Sequence, residues 1–341
     1  MVELEGGSVG IETEKALSKW LEKQSQETCA IFAARAAGRV FPRIMMLDHE
    51  VENQELVLLY AARAILTAQV SAIFPTVEIR NAAGTAAELM GAITQGKSDN
   101  AALYSGAEYA FCAATHAAMA AKELPQTASY PNGSDHASSA AYYYSVHFNK
   151  DQRVSFFDAG LTKKAILRRP LWPRHVMPKG FKDDFQGPRN LFETSPSWNF
   201  WSSWFEKWRK GEPLDWELIR RVVLIKNVVW KAGPKAIAEE IARIEAAFEV
   251  EKTAKELEHS ASHSPDAVRG IGDNKPPGPI DDALKGGNEV TIIWAAASDL
   301  RKEAQSKTPN KDRVLNAFNA VTKIIQWAGL TIVGAGGLGV F

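Results

Sequence analysis

Cysteine is scarce. Cys29 and Cys112 are the only two in 341 residues, too few for a disulfide framework or a structural zinc, and both fall in apolar helical patterns as small buried hydrophobes. Net charge is missing too: 40 Lys and Arg balance 40 Asp and Glu, so no global field points to nucleic acid or an anionic surface. Alternating β-branched runs hardly occur, which argues against sheets. The first residues, MVELEGGSVGIETEK, are acidic and Gly-rich and have no basic stretch ahead of an apolar one. A secretory signal is therefore not expected, and a cytoplasmic protein is. No P-loop and no G-x-S-x-G motif is found.

What the chain does have is tryptophan. Five of the ten lie between Pro196 and Trp216, in PSWNFWSSWFEKWRKGEPLDW. At about 100° per residue, Trp201, Trp204, Phe205 and Trp208 share an arc of roughly 100°. Trp198 lies just beside them, and Trp216 opens the next element. Ser195 suits the cap, Pro196 the first helical position and Gly211 the stop. Each indole carries about 150–250 Å², worth roughly 4–6 kcal/mol at about 25 cal/mol/Å² when fully buried. These six aromatics are read as core, or as a groove for a partner helix or a second copy of the chain.

The expected fold is all-α: a multi-helix bundle, a Trp-rich three-helix unit, a flexible linker and a C-terminal helical hairpin. Residues 1–12 read as a disordered start. Residues 13–157 give helix after helix, from a Thr13 cap through Glu27–Phe41, a run after Asp48, and patterns near 77–95, 99–123 and 135–148. Alanine fills 14 of the 41 positions from Ala101 to Ala141, favouring helix and close helix approach. Residues 158–259 begin with an irregular stretch holding Pro170, Pro173, Pro178 and Pro188. The Trp helix follows, then a helix capped by Asp215, then, past Gly233-Pro234, one with an Ile237, Ile241, Ile244 and Phe248 stripe.

The motifs PLWP, W-x2-W-x2-WFE-x3-K-G-x-P-L-x-W, V-W-K-x-G-P and G-I-G-D-N-K-P-P together resemble a family of uncharacterised bacterial proteins. There an alanine-rich helical region precedes a tryptophan block and a G-I-G-x-N-x-P-P linker. The resemblance covers residues 158–280; it implies this organisation and assigns no activity.

Residues 260–289 read as linker. Residues 290–323 read as a helical hairpin broken at Thr308-Pro309, its second helix placing Val314, Leu315, Phe318, Val321 and Ile325 on one side. The tail, 324–341, carries no charge. As a helix it would reach about 27 Å, a marginal bilayer span. Ile324, Ile325, Trp327, Leu330, Ile332, Val333, Leu338 and Phe341 are its candidate membrane contacts. A buried terminal helix is the alternative.

Motifs for chemistry are weak. Gly334, Gly336 and Gly339 match G-x-G-x-x-G, but two residues follow where a helix and further strands are needed. His259 and His263 have i, i+4 spacing without the Glu of H-E-x-x-H, and read as a solvated pair. Ser134-Asp135-His136 holds triad residue types, yet neighbours in sequence cannot align as a triad. His49, His116, His147 and His175 are isolated. No cofactor and no metal are expected.

Residues 151–235 carry 17 basic against 9 acidic residues. Lys207, Arg209, Lys210, Arg220 and Arg221 lie mostly off the aromatic stripe, so rings and charges do not face one nucleic acid ligand. The resulting expectation is a non-enzymatic interaction or assembly protein. Its partner is another protein or itself, and its tail brings it to a membrane. The alternative is a hydrolase or nucleotide-using enzyme with a cleft near residues 158–192, served by Arg35, Arg39, His175 and Asp183.

Overall fold

The structure, a computed structural model, describes residues 14–45, 54–95, 107–122, 133–147, 158–159, 161–172, 192, 195–262, 289–306, 310, 312–317 and 319–320. Among them no strand occurs, and the fold is all-α. They fall into two compact units divided after Ile241.

The first unit is built on two helices that are buried on every side. Helix α1 (Glu14–Leu21) leads into α2 (Gln26–Val40), started by Ser25, whose hydroxyl accepts from the Thr28 N–H at 3.3 Å. Thirteen of the 15 residues of α2 are buried. After the short α3 (Pro42–Met45), α4 (Gln54–Ser71) buries sixteen of its 18 residues. A helix without a polar face belongs inside a larger assembly of helices. That assembly is α5 (Val77–Gln95), α6 (Ala107–Lys122) and α7 (Gly133–His147), which pack on α2 and α4. Their contact surfaces are lined with Ala113, Ala114, Ala117, Ala137 and Ala140, all fully buried. Alanine's short side chain is what lets helices approach this closely, and it costs no side-chain entropy to order.

The stretch expected to be irregular contains a helix of its own. Helix α8 (Lys163–Arg168) is capped by Thr162, whose hydroxyl accepts from the Ala165 N–H at 3.3 Å. The aromatic block follows as a 3-10 turn, Pro196–Trp198, and then α9 (Asn199–Lys210). Ser195 flanks that turn without a side-chain capping bond, so the expected cap is absent. Gly211 ends α9 as expected, with φ 74°, and the Glu212 N–H returns to the Lys207 carbonyl at 2.8 Å. A side chain there would be strained by φ, and a Cβ would also meet the Arg168 carbonyl at 2.8 Å. Asp215 caps α10 (Trp216–Val223) through the Leu218 N–H at 3.3 Å. Helix α11 (Asn227–Lys231) is one turn, and Gly233, φ 96°, precedes α12 (Pro234–Ser262). In α12, Ile237, Ile241 and Ile244 are buried and Phe248 is half-buried. The helix runs through His259 to Ser262, into the segment read as linker.

The second unit holds the rest of α12 and α13 (Glu289–Gln305), followed by helical residues 312–317 and 319–320. Its core is small: Val250, Ala254, Ala295, Ala296, Ala297, Leu300, Ala317 and Ala320. Asn310 opens the last helical stretch, its side chain accepting from the Asp312 and Arg313 N–H groups at 3.0 and 3.2 Å. Leu315, read on one side with Val314, is 60% exposed, whereas Val314 packs against the cluster in which Ala317 and Ala320 take the inward positions. Residues 1–12, Thr13, Thr308-Pro309, the G-I-G-D-N-K-P-P segment, the G-x-G-x-x-G match and the tail candidates Ile324, Ile325, Trp327, Leu330, Ile332, Val333, Leu338 and Phe341 lie outside the described residues.

Candidate functional site

The densest chemistry gathers where α2, the segment around α8 and the aromatic helix meet. Trp198, Trp201, Trp204, Phe205 and Trp208 are all buried, while Trp216 is half-buried at the start of α10. Trp204 stacks on Trp208, with centroids 5.6 Å apart and planes 20° from parallel, and meets Trp201 edge-on at 5.9 Å. Phe41, following α2, touches Trp204 and Phe205 at 6.2 and 5.5 Å. The Trp204 indole N–H donates to Gln69 Oε1 on α4 at 2.9 Å. On α2, Gly38 lies directly beneath the Trp208 ring: a Cβ there would fall inside the van der Waals surface of Cη2 and Cζ3. These ring faces are occupied by protein, so they offer no surface on which bases could stack. The neighbouring charges are locally paired: Glu206 accepts from Arg209 at 2.7 Å, and Glu217 from Arg220 and Arg221 at 2.8 and 3.2 Å.

Beside the rings lies a buried charge cluster. Arg35 and Arg39 are one turn apart on α2, and both reach Asp158 Oδ2; the Arg35 Nε contact is 2.8 Å. Arg35 also donates through Nη1 to the carbonyls of Ile166 and Arg169, at 3.2 and 2.7 Å, and through Nη2 to that of Pro170 at 2.6 Å. The Arg39 Nε donates to the Leu171 carbonyl at 2.7 Å. The Leu171 N–H in turn donates to the Arg209 carbonyl, in the last turn of α9, at 3.1 Å. Burial alone would push the Asp158 carboxyl up, but the two guanidinium groups overcome this and hold it below its ordinary value. Burial likewise lowers Arg35, against the pull of Asp158. The donors of this cluster are directed at Asp158 Oδ2 and at backbone carbonyls, while Asp158 Oδ1 is buried without a hydrogen-bond partner among the described residues.

Of the four groups weighed for an enzyme, Arg35 and Arg39 are brought together and spent on Asp158 and carbonyls; His175 and Asp183 lie outside the described residues. Asp158 itself carried no sequence signal. It stands 123 residues from Arg35, in a stretch that reads as a break in the pattern.

A second pairing joins α6 to α7. His116 Nδ1 and His136 Nδ1 are 3.0 Å apart, so one nitrogen must donate and the other accept. The Ser134-Asp135-His136 run opens α7, with Asp135 exposed and His136 buried. Burial, reinforced by the neighbouring imidazole, pushes His116 down to about 4 from an ordinary 6.5. Because the folded state resists a proton that the unfolded chain accepts, the associated stability is full above pH 6.5. It declines as the pH falls and is lost by about pH 4. At about 1.4 kcal/mol per pH unit, discounted for solvent at a half-buried ring, the loss is roughly 1–2 kcal/mol. Urea melts at pH 7 and pH 4.5 should show the wild type losing about that much more than His116→Asn; equal losses would mean the pair stays hydrated.

Cys29 is buried against the Leu21 carbonyl, and burial pushes its thiol up to about 12; Cys112 is half-buried. Among the described residues no three His, Cys, Asp or Glu side chains are grouped to hold a metal ion. No helix among them is long and apolar enough to cross a membrane.

The chain matches no family model, no curated protein and no solved structure.

Proposed function

We propose that the chain is a non-enzymatic interaction or assembly protein, whose helical body binds a protein partner or a second copy of itself and whose uncharged tail contacts a membrane or the core of an oligomer. The observation that carries this reading is the use made of the most concentrated polar and aromatic groups. Arg35 and Arg39 are directed at Asp158 Oδ2 and at backbone carbonyls, only Asp158 Oδ1 being left without a partner among the described residues, and the indoles beside them are buried.

The outer surface supplies the contact. Val77, Leu224 and Val228 are exposed, Val228 to 70%, on elements that touch one another. Asn227 donates to Thr85 at 3.3 Å, and the Arg220 guanidinium sits 5.7 Å from the Phe74 ring. These outward-turned aliphatic side chains are the surface through which the proposed association would run.

Light scattering on the full chain, on a form ending at Lys323, and on Val77→Asp/Val228→Asp tests the proposal. The full chain should exceed monomer mass, and at least one change should return it to monomer. Liposome flotation should be lost with residues 324–341. A monomer in all three forms that never floats would overturn the reading.

A further inference from the structure

Arg63, on α4, is 1% exposed, and no carboxylate among the described residues pairs with it. Its Nη2 donates to Asn227 Oδ1 on α11 at 2.6 Å, and its Cζ lies over the Trp230 ring, 4.5 Å from the centroid. Its Nε and Nη1 have no hydrogen-bond partner among the described residues. This contrasts with Arg35, two helices away in sequence, whose donors meet Asp158 and three carbonyls. A buried cation without an anion or a full set of acceptors is costly, and native proteins keep such groups where they have a use.

We propose that Arg63 is an oxyanion-binding residue that takes a phosphate or carboxylate group, free or carried by a small ligand, through the edge of its guanidinium. The Trp230 ring closes the side of the guanidinium that it lies against, so a ligand approaches from elsewhere, along an N–H edge where two parallel N–H···O bonds suit an oxyanion. Asn227 takes only one of the two Nη2 hydrogens, which leaves one complete fork with either Nε or Nη1. Burial lowers the guanidinium to about 10, so it is still charged at neutral pH. Entry requires α11 to shift. It is a five-residue helix, and it is followed by Gly233, where no atom lies within 4 Å of a would-be Cβ.

The test is thermal denaturation of the full chain against inorganic phosphate at constant ionic strength, with chloride as the comparison salt. The wild type should show a saturable rise in Tm of about 5 °C near a hundredfold excess over Kd. Arg63→Met should lose that response. Asn227→Asp supplies an internal carboxylate where Nη2 already points; it should raise Tm without phosphate and cut the phosphate response severalfold. A full response in Arg63→Met, an undiminished one in Asn227→Asp, or none in the wild type would overturn the assignment. So would a fall in Tm in Asn227→Asp.

Discussion

Replacing Asp158 by asparagine is expected to destabilise the first unit by about 3–5 kcal/mol, a large part of what holds a domain together. Asparagine keeps the shape and one acceptor oxygen, removes the charge and turns the other oxygen into an NH2 donor, so the loss reports polar interactions and not a cavity. In the native fold one carboxylate oxygen receives both Arg35 and Arg39 at positions closed to solvent. Without it, two guanidinium groups one turn apart on α2 face each other in a medium that cannot screen them. Their remaining bonds to the carbonyls of Ile166, Arg169, Pro170 and Leu171 satisfy donors but do not neutralise charge. The segment around α8 should loosen first, since those bonds are what tie it to α2. In urea the midpoint should fall with little change in slope, and Asp158→Ala should cost at least as much. The pH dependence has a definite sign. Asp158 is held below its ordinary value, so its contribution is full above that value and disappears as the pH falls through the lowered one. A loss under about 1 kcal/mol at neutral pH would mean that water reaches the arginines.

This cluster also marks the limit of what pattern could reveal. The helices were legible because their signals are local. The stripe of Trp201, Trp204, Phe205 and Trp208 is a 3.6-residue periodicity, Gly211 is a stop that needs positive φ, and Asp215 is a cap acting three residues away. The burial of these rings followed from their size. Their partners did not. Gln69 and Trp204 are 135 residues apart, and Arg63 and Asn227 are separated by 164. Arg35 and Arg39 fall in a run of alanines that gives no local sign of their partner, and α2 has no solvent face. Helix α8 was hidden because six residues give too little periodicity, and the prolines around it dominate the reading. Leu315 misled for a different reason: in a core made of alanines, a small residue takes the inward position and the larger one turns out.

Gly38 is the other position where a local reading fails, and it gives a test with a change of sign. Taken alone, Gly38→Ala in a helix interior should stabilise by roughly 0.5–1 kcal/mol, because alanine loses less backbone entropy. Here the Trp208 ring occupies the space of the added methyl, and that ring is fixed by its stack on Trp204. Neither α2, buried on all sides, nor the stacked indoles can move without disturbing further contacts. The expected cost of Gly38→Ala is therefore about 3 kcal/mol or slightly more, at the upper end for overpacking. Trp208→Ala alone should cost roughly 3–5 kcal/mol through the cavity that it leaves. In that background the methyl at residue 38 has room, so Gly38→Ala should become neutral or mildly stabilising. The double variant would then be no less stable than Trp208→Ala, with a coupling near 3 kcal/mol. Additive losses in the urea midpoints would instead place the strain of Gly38→Ala against some neighbour other than the indole.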